Sequence, residues 1–216
     1  MKRIFLALLA LLVIMTSDAN AVIISPTAGT ASSTFSGDFD IGNTFDQSGL
    51  ATGFTSGVTD FDTYLAGNPQ HTFVAADNEW FTASGVLSAT INYDLGAVFN
   101  IDRMAFWNDE FSGVGAIEVL LSTDNVSFTS VASGLSPTNW GGNVTSYGAD
   151  VFGLNGTHAA RWVRLNVSQC PQPAPLGQFC GFGEVAFSTA DVPEPATLAL
   201  LGLAVAGIGA RRRAGV

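Results

Sequence analysis

Short runs of Val, Ile, Phe and Trp recur through the middle of the chain, and Gly, Ser, Thr, Asn or Asp interrupts each within a few residues. No stretch there keeps a 3.6-residue apolar period long enough for a useful helix, and the interruptions are of turn composition. Residues 89–95 alternate, so Ile91, Tyr93 and Leu95 share one face. After a predicted short turn comes a strand at 101–107. Residues 117–121 repeat the alternation with Ile117, Val119 and Leu121. Further strands are predicted at 126–131, after the turn 122–125, and at 144–152, 161–167 and 183–187. About eight strands, without Cys or Trp at immunoglobulin spacing, predict an all-β, antiparallel jelly-roll β-sandwich. Residues 36–78 are polar and glycine-rich with isolated phenylalanines. They read as long loops and short edge strands of the kind that carry function.

Both ends differ from this middle. Lys2 and Arg3 precede an apolar run, residues 4–15, and Ala19-Asn20-Ala21 follows as a small-x-small site. This is a secretory signal helix cleaved after Ala21, because the run is shorter than the roughly 20 residues that span a bilayer. Residues 196–210 form a second apolar helix closed by Arg211, Arg212 and Arg213. A helix that short is marginal as a span, and terminal arginines would keep its end cytoplasmic. Three adjacent arginines and no polar face argue against a buried helix of the globular core. The expected organisation is a signal peptide at 1–21, one domain at 22–190 and a tail at 191–216.

That tail, VPEPATLALLGLAVAGIGARRR, resembles the PEP-CTERM sorting signal: Pro193, Glu194 and Pro195, then an apolar helix, then the arginine cluster. The resemblance implies recognition by an exosortase in the inner membrane of a Gram-negative bacterium, with transient anchoring and processing near the motif. It also implies delivery to the cell surface or extracellular matrix, where such proteins accompany exopolysaccharide and biofilm formation. It says little about what the folded domain does there.

Within the middle, sixteen acidic side chains face three basic ones, Arg103, Arg161 and Arg164. That balance repels polyphosphate, so nucleic acid is not an expected partner, whereas calcium or neutral polysaccharide is compatible with it. Solubility outside the cell explains the charge equally well. Cys170 and Cys180 bracket a proline-rich loop, and in an exported chain such a pair reads as a disulfide.

Five segments also resemble, in order, the discoidin-like (coagulation factor type C) and galactose-binding-like jelly rolls, which include many carbohydrate-binding modules. They are NTFDQSG at 43–49, ATINYDLGAVFNIDRMAFWND at 89–109, EVLLSTDNVSFTSVASG at 118–134, ARWVRLNV at 160–167 and GFGEVAFS at 181–188. The resemblance implies a structural calcium between Asp46 of the early loop and Glu184 of the last strand, with main-chain oxygens near Asn43 and Ser48. Gln47 departs from the family, which has glycine after the aspartate. The alternative is that Asp46 caps a turn and Glu184 pairs with an arginine. Two Asp-Phe-Asp runs, 38–40 and 60–62, fail the EF-hand pattern and read as extended segments with Phe39 and Phe61 turned inward.

Sugars are held by an aromatic ring against their C–H face and by fixed hydrogen-bonding groups. Trp80, Trp140 and Tyr147 lie in or beside loop-like sequence, and Asn108, Asp109 and Asn139 could supply polar contacts. Trp140 reads equally as a lid on the core. Trp107 and Trp162 fall within strands and read as packing residues. No nucleophile elbow, zinc-protease motif or phosphate loop occurs, and His71 and His158 lack ligand spacing, so no catalytic role is expected. The expected function is a non-catalytic, carbohydrate-associated module. The alternatives are a purely structural biofilm-matrix protein and a polysaccharide hydrolase using paired acids such as Asp109 and Glu110.

Overall fold

The computed structural model describes residues 20–142, 144–172 and 178–190. The predicted signal segment up to residue 19, the Pro-Glu-Pro motif, the apolar helix and the arginine cluster lie outside the described residues. Among the described residues no helix is long and apolar enough to cross a membrane.

The strands are β1 (Ile23–Ile24), β2 (Ala28–Ala31), β3 (His71–Thr72), β4 (Trp80–Phe81), β5 (Ala89–Asn108), β6 (Ala116–Ser122), β7 (Thr129–Leu135), β8 (Ser146–Tyr147), β9 (Asp150–Ser168) and β10 (Gly181–Thr189). Eight of them join in the order β1-β10-β5-β9-β6-β7, with β2 on β5 and β4 on β10, while β3 and β8 pair separately. Every ladder is antiparallel. The fold is a jelly roll. Its two long strands, β5 and β9, each serve both layers. Their pairing breaks between Asp94 and Phe99 and resumes beyond it. Gly96 (φ 83°) supplies backbone there that residues with a Cβ rarely adopt, and Gly156 (φ 133°) does so on β9 at a second register shift, between Ile101 and Arg103.

Alternation builds the core between the layers. Ile91, Tyr93 and Leu95 from the first half of β5 join Met104 and Phe106 from its second half, with Val163, Leu165 and Val167 of β9 and Val185 and Phe187 of β10. The opposite face of β5 and β10 is covered too. Ala105, Trp107 and Ala186 pack under Ala21, Ile23, Phe61, Tyr64 and Tyr147 as a second apolar cluster. Phe61 and Tyr64 of that cover come from the long irregular region, which holds two 3₁₀ turns, Gly37–Phe39 and Ile41–Thr44, and one helix, α1 (Phe61–Ala66); Ile23 comes from β1 and Tyr147 from β8.

Several local expectations are corrected. The two strands expected at 89–95 and 101–107 are one strand, since backbone pairing continues across the bulge. Residues 126–128 are not strand: Asp124 Oδ1 accepts from Val126 N and Ser127 N, and this cap holds Val126 out in solvent. The strand expected at 144–152 is broken between β8 and β9. Neither Asp-Phe-Asp run is extended. The first lies in a 3₁₀ turn, and in the second Asp60 caps α1 by accepting from Thr63 N at 2.7 Å, while Phe61 is buried.

Cys170 and Cys180 form a disulfide that ties the end of β9 to the start of β10. The compact unit spans Ala21–Ala190. Its two ends lie together: Ile23 pairs with Ser188, and Val22 N donates to Thr189 Oγ1 at 3.0 Å.

Candidate functional site

Where β5 ends and β10 begins, three carboxylates come together inside the protein. Glu79 precedes β4, and Asp109 and Glu110 follow β5. Each offers an oxygen within 4.8 Å of the others, and exposures are only 0, 0 and 4%. Main-chain donors hold one side of the cluster. Asp109 Oδ1 accepts from Phe111 N at 3.1 Å and from Ser112 N, Glu110 Oε1 from Val74 N at 3.1 Å, and Glu79 Oε2 from Ala75 N at 3.2 Å. The Tyr147 hydroxyl donates to Glu79 Oε1 at 2.6 Å. Asp109 Oδ2 and Glu110 Oε2 have no hydrogen-bond partner.

Burial dominates the electrostatics here, because a desolvated carboxylate favours its neutral form. It pushes the Asp109 carboxyl far above the usual carboxylate range, with Glu110 adding to the effect, and does the same to Glu79, with Asp109 adding. Burial likewise raises the Tyr147 phenol and lowers the imidazolium pKa of His71. His71 Nδ1 lies 3.8 Å from Glu79 Oε1 and 2.9 Å from the Thr72 carbonyl oxygen, while its ring stacks on Tyr147 at 5.0 Å.

A second polar site adjoins this one across His71. Glu184 Oε2 accepts from Gln47 N at 3.0 Å, so the early aspartate loop does dock on the last strand. The other oxygen, Glu184 Oε1, is buried without a partner, and burial raises this carboxyl well above its ordinary value. Asp46 Oδ1 accepts from Ser48 N and Ser48 Oγ at 2.9 and 2.6 Å. Gln47 keeps the left-handed conformation that a glycine would supply (φ 68°), and its Oε1 accepts from Phe54 N at 2.7 Å. The departure in sequence therefore leaves the loop geometry in place. The orphaned Glu184 oxygen beside an acidic loop fits an oxygen-seeking cation. Among the described residues Glu184 has no arginine partner; Arg103 and Arg161 bind Asp62 and Asp94.

The residues expected to hold sugar do not assemble as expected. Trp80 is fully buried with its indole N–H donating to Ser33 O at 3.1 Å, and so offers no face to a ligand. Asn108 is buried and bonded to Val114 and Thr138 main chain, and Asp109 and Tyr147 belong to the interior cluster. Trp140 is half-buried against the second apolar cluster, the lid alternative, and Asn139 is exposed with its side chain accepting from Gly141 N. Trp107 packs as expected, its N–H bonded to Pro69 O.

Sequence reasoning missed two features. Glu79 stands alone among polar loop residues, with no local sign that it is buried. The other is an aromatic ledge: Phe35, half-exposed, lies 5.2 Å from Phe179 and 5.9 Å from Phe39, and Phe39 and Phe179 both meet Phe81. These rings come from segments far apart in the chain and only the fold joins them.

Residues 191–213 match the family model of the PEP-CTERM protein-sorting motif, which marks an exported, membrane-processed surface protein. No curated protein matches the chain. Among solved structures, chitosan-binding module 1 of a chitosanase/glucanase from Paenibacillus sp. IK-5 is 17% identical, with a TM-score of 0.52 over 78% of this chain and 99% of that one. The third family 32 carbohydrate-binding module of a family 31 glycoside hydrolase from Clostridium perfringens is also 17% identical, with a TM-score of 0.52 over 77% and 90%. The family 32 module of C. perfringens NanJ, solved with galactose, is 16% identical, with a TM-score of 0.50 over 78% and 98%. The chain thus couples a sorting motif to a jelly roll of the carbohydrate-binding-module type.

Proposed function

We propose that the folded unit is a non-catalytic module that associates with polysaccharide, the exopolysaccharide of a Gram-negative cell surface or matrix, after exosortase sorting through its tail. The observation that carries this reading is the aromatic ledge of Phe35, Phe39 and Phe179. Phe35 is half-exposed, with Phe39 and Phe179 partly buried against it, and its ring offers the apolar face that a sugar's C–H groups need. Solved modules of the same fold hold chitosan and galactose, which favours this class of ligand. A hydrolase reading through Asp109 and Glu110 is disfavoured because both acids are buried, away from the surface where a polysaccharide chain would lie.

Calcium at Asp46 and Glu184 belongs to the same reading. Their carboxylates and nearby main-chain oxygens would hold it, and it would pin the early loop to the last strand without taking part in chemistry.

Co-sedimentation of the full-length chain with the organism's exopolysaccharide tests the proposal. Binding should fall at least tenfold in Phe35→Ala/Phe179→Ala, and incubation should release no reducing ends. Undiminished binding by the double variant would remove the ledge from the reading. No binding to any polysaccharide would favour a structural matrix role instead.

A further inference from the structure

We infer that Glu79, Asp109 and Glu110 form a divalent-cation site of their own, suited to calcium and separate from the one at Asp46 and Glu184. The inference does not depend on sugar binding.

The first support is shape. The three ligand oxygens fall within 4.8 Å of one another, the diameter of a shell of about 2.4 Å radius, which is a calcium–oxygen distance. Main-chain N–H groups fix one oxygen of each carboxylate from loops at 74–75 and 111–112, so the geometry is set before any ion arrives. Phe111 N and Ser112 N aim Asp109 from its own turn, while Val74 N reaches Glu110 from the bend that follows β3.

The second support is what has been left bare. Asp109 Oδ2 and Glu110 Oε2 are inside the protein, in residues 0 and 4% exposed, and neither has a partner. A buried carboxylate oxygen without a donor is costly, and two in one cluster ask for a shared positive ligand. The described residues do not supply one. Arg103 is taken by Asp62, Arg161 by Asp94, and Arg164 lies over Phe128 and bonds Asn92. His71, the nearest basic side chain, lies within hydrogen-bond distance of the Thr72 carbonyl oxygen through Nδ1, at 2.9 Å, and bonds neither Asp109 Oδ2 nor Glu110 Oε2.

All three ligands are hard carboxylate oxygens, with a phenol as neighbour and no thiolate, which selects calcium-like cations over zinc or copper. The ion would join β4, the end of β5 and, through Tyr147, β8. These are the elements beneath the loop end of the sandwich.

The test is equilibrium dialysis of the full-length chain against millimolar calcium, with bound metal counted by atomic emission. Glu184→Gln should retain one ion per chain, held by the buried cluster. Adding Asp109→Asn and Glu110→Gln to that variant should abolish binding, while circular dichroism keeps its β signature. Should Asp109→Asn fail to fold, Glu110→Gln alone in the Glu184→Gln background should lower calcium affinity at least tenfold, since Oε2 has no protein partner to lose. An ion lost in Glu184→Gln alone, or retained unweakened after the cluster is neutralised, overturns the inference. Loss of polysaccharide binding with both ions in place would sink the sugar reading and leave this one standing.

Discussion

His71 is enclosed between two glycines, and their missing side chains make its position possible. An added Cβ at Gly49 would fall 2.0 Å from Nε2, and one at Gly183 would fall 2.6 Å from both the imidazole and the Tyr147 hydroxyl. Gly183→Ala should therefore cost about 1–3 kcal/mol as overpacking, read from the denaturation midpoint. An unchanged midpoint would mean that the imidazole and phenol move aside freely, and the hydrogen bond to Glu79 would not be a fixed one. Neither glycine announces itself in the sequence, because a glycine required for close approach looks the same as one in a turn. Gln47 shows the reverse case. Gln47 stands where the resembled family has glycine, yet it keeps left-handed backbone, and its own side chain bonds Phe54 N. Asn125 and Asn155 also take left-handed backbone, which asparagine tolerates better than most residues.

At the scale of elements, the turn between β6 and β7 is organised by a single carboxylate. Main-chain donors Ser127 N and Val126 N, then the Ser122 hydroxyl, hold Asp124 well below the usual range, at about 2. Its unfolded pKa is near 3.9, so between those values the folded state binds fewer protons than the unfolded chain. The stability it contributes is present above about pH 4 and is lost as pH falls through about 2. Asp124→Ala should melt lower than the parent at neutral pH, and the gap should close across that acid window. A gap that ignores pH would mean that the charge is not its source. Strand existence was legible because one face of β5, β6 and β9 is apolar at period two. The second apolar cluster was not. It takes up the opposite face of β5 and β10, so β10 is buried on both sides and shows no alternation. Its cover, α1, is too short to leave a helical period.

On the scale of the whole molecule, charge and topology make separate demands. Sixteen acids against three arginines in residues 22–191 leave the unit strongly self-repelling. Raising monovalent salt from low to physiological strength in the presence of chelator should raise the melting temperature by screening that repulsion. A fall would show that the pairs Arg103–Asp62 and Arg161–Asp94 outweigh it. Of the candidate site, the sequence carried the docking of the Asp46 loop near Glu184, because that contact joins two segments of a resembled order. It did not carry the aromatic ledge or the buried acid cluster. Phe35 and Phe179 lie near opposite ends of the folded unit in sequence, and Glu79 meets Asp109 and Glu110 only after β4 and β5 have paired through β10.

The last strand has a mechanical consequence. β10 begins beside Phe179 and the acid cluster and ends at Thr189, just before the sorting tail, so its nine residues span about 26 Å between ligand end and tether end. A matrix pulling on the loops of a tethered molecule would load this strand lengthwise. Its ladders to β1, β4 and β5 would then resist together in shear instead of opening one bond at a time like a zipper. The disulfide anchors the strand's entry to β9, and β1 braces its exit. If the proposed ledge holds polysaccharide while the tail is anchored, tension would run along β10.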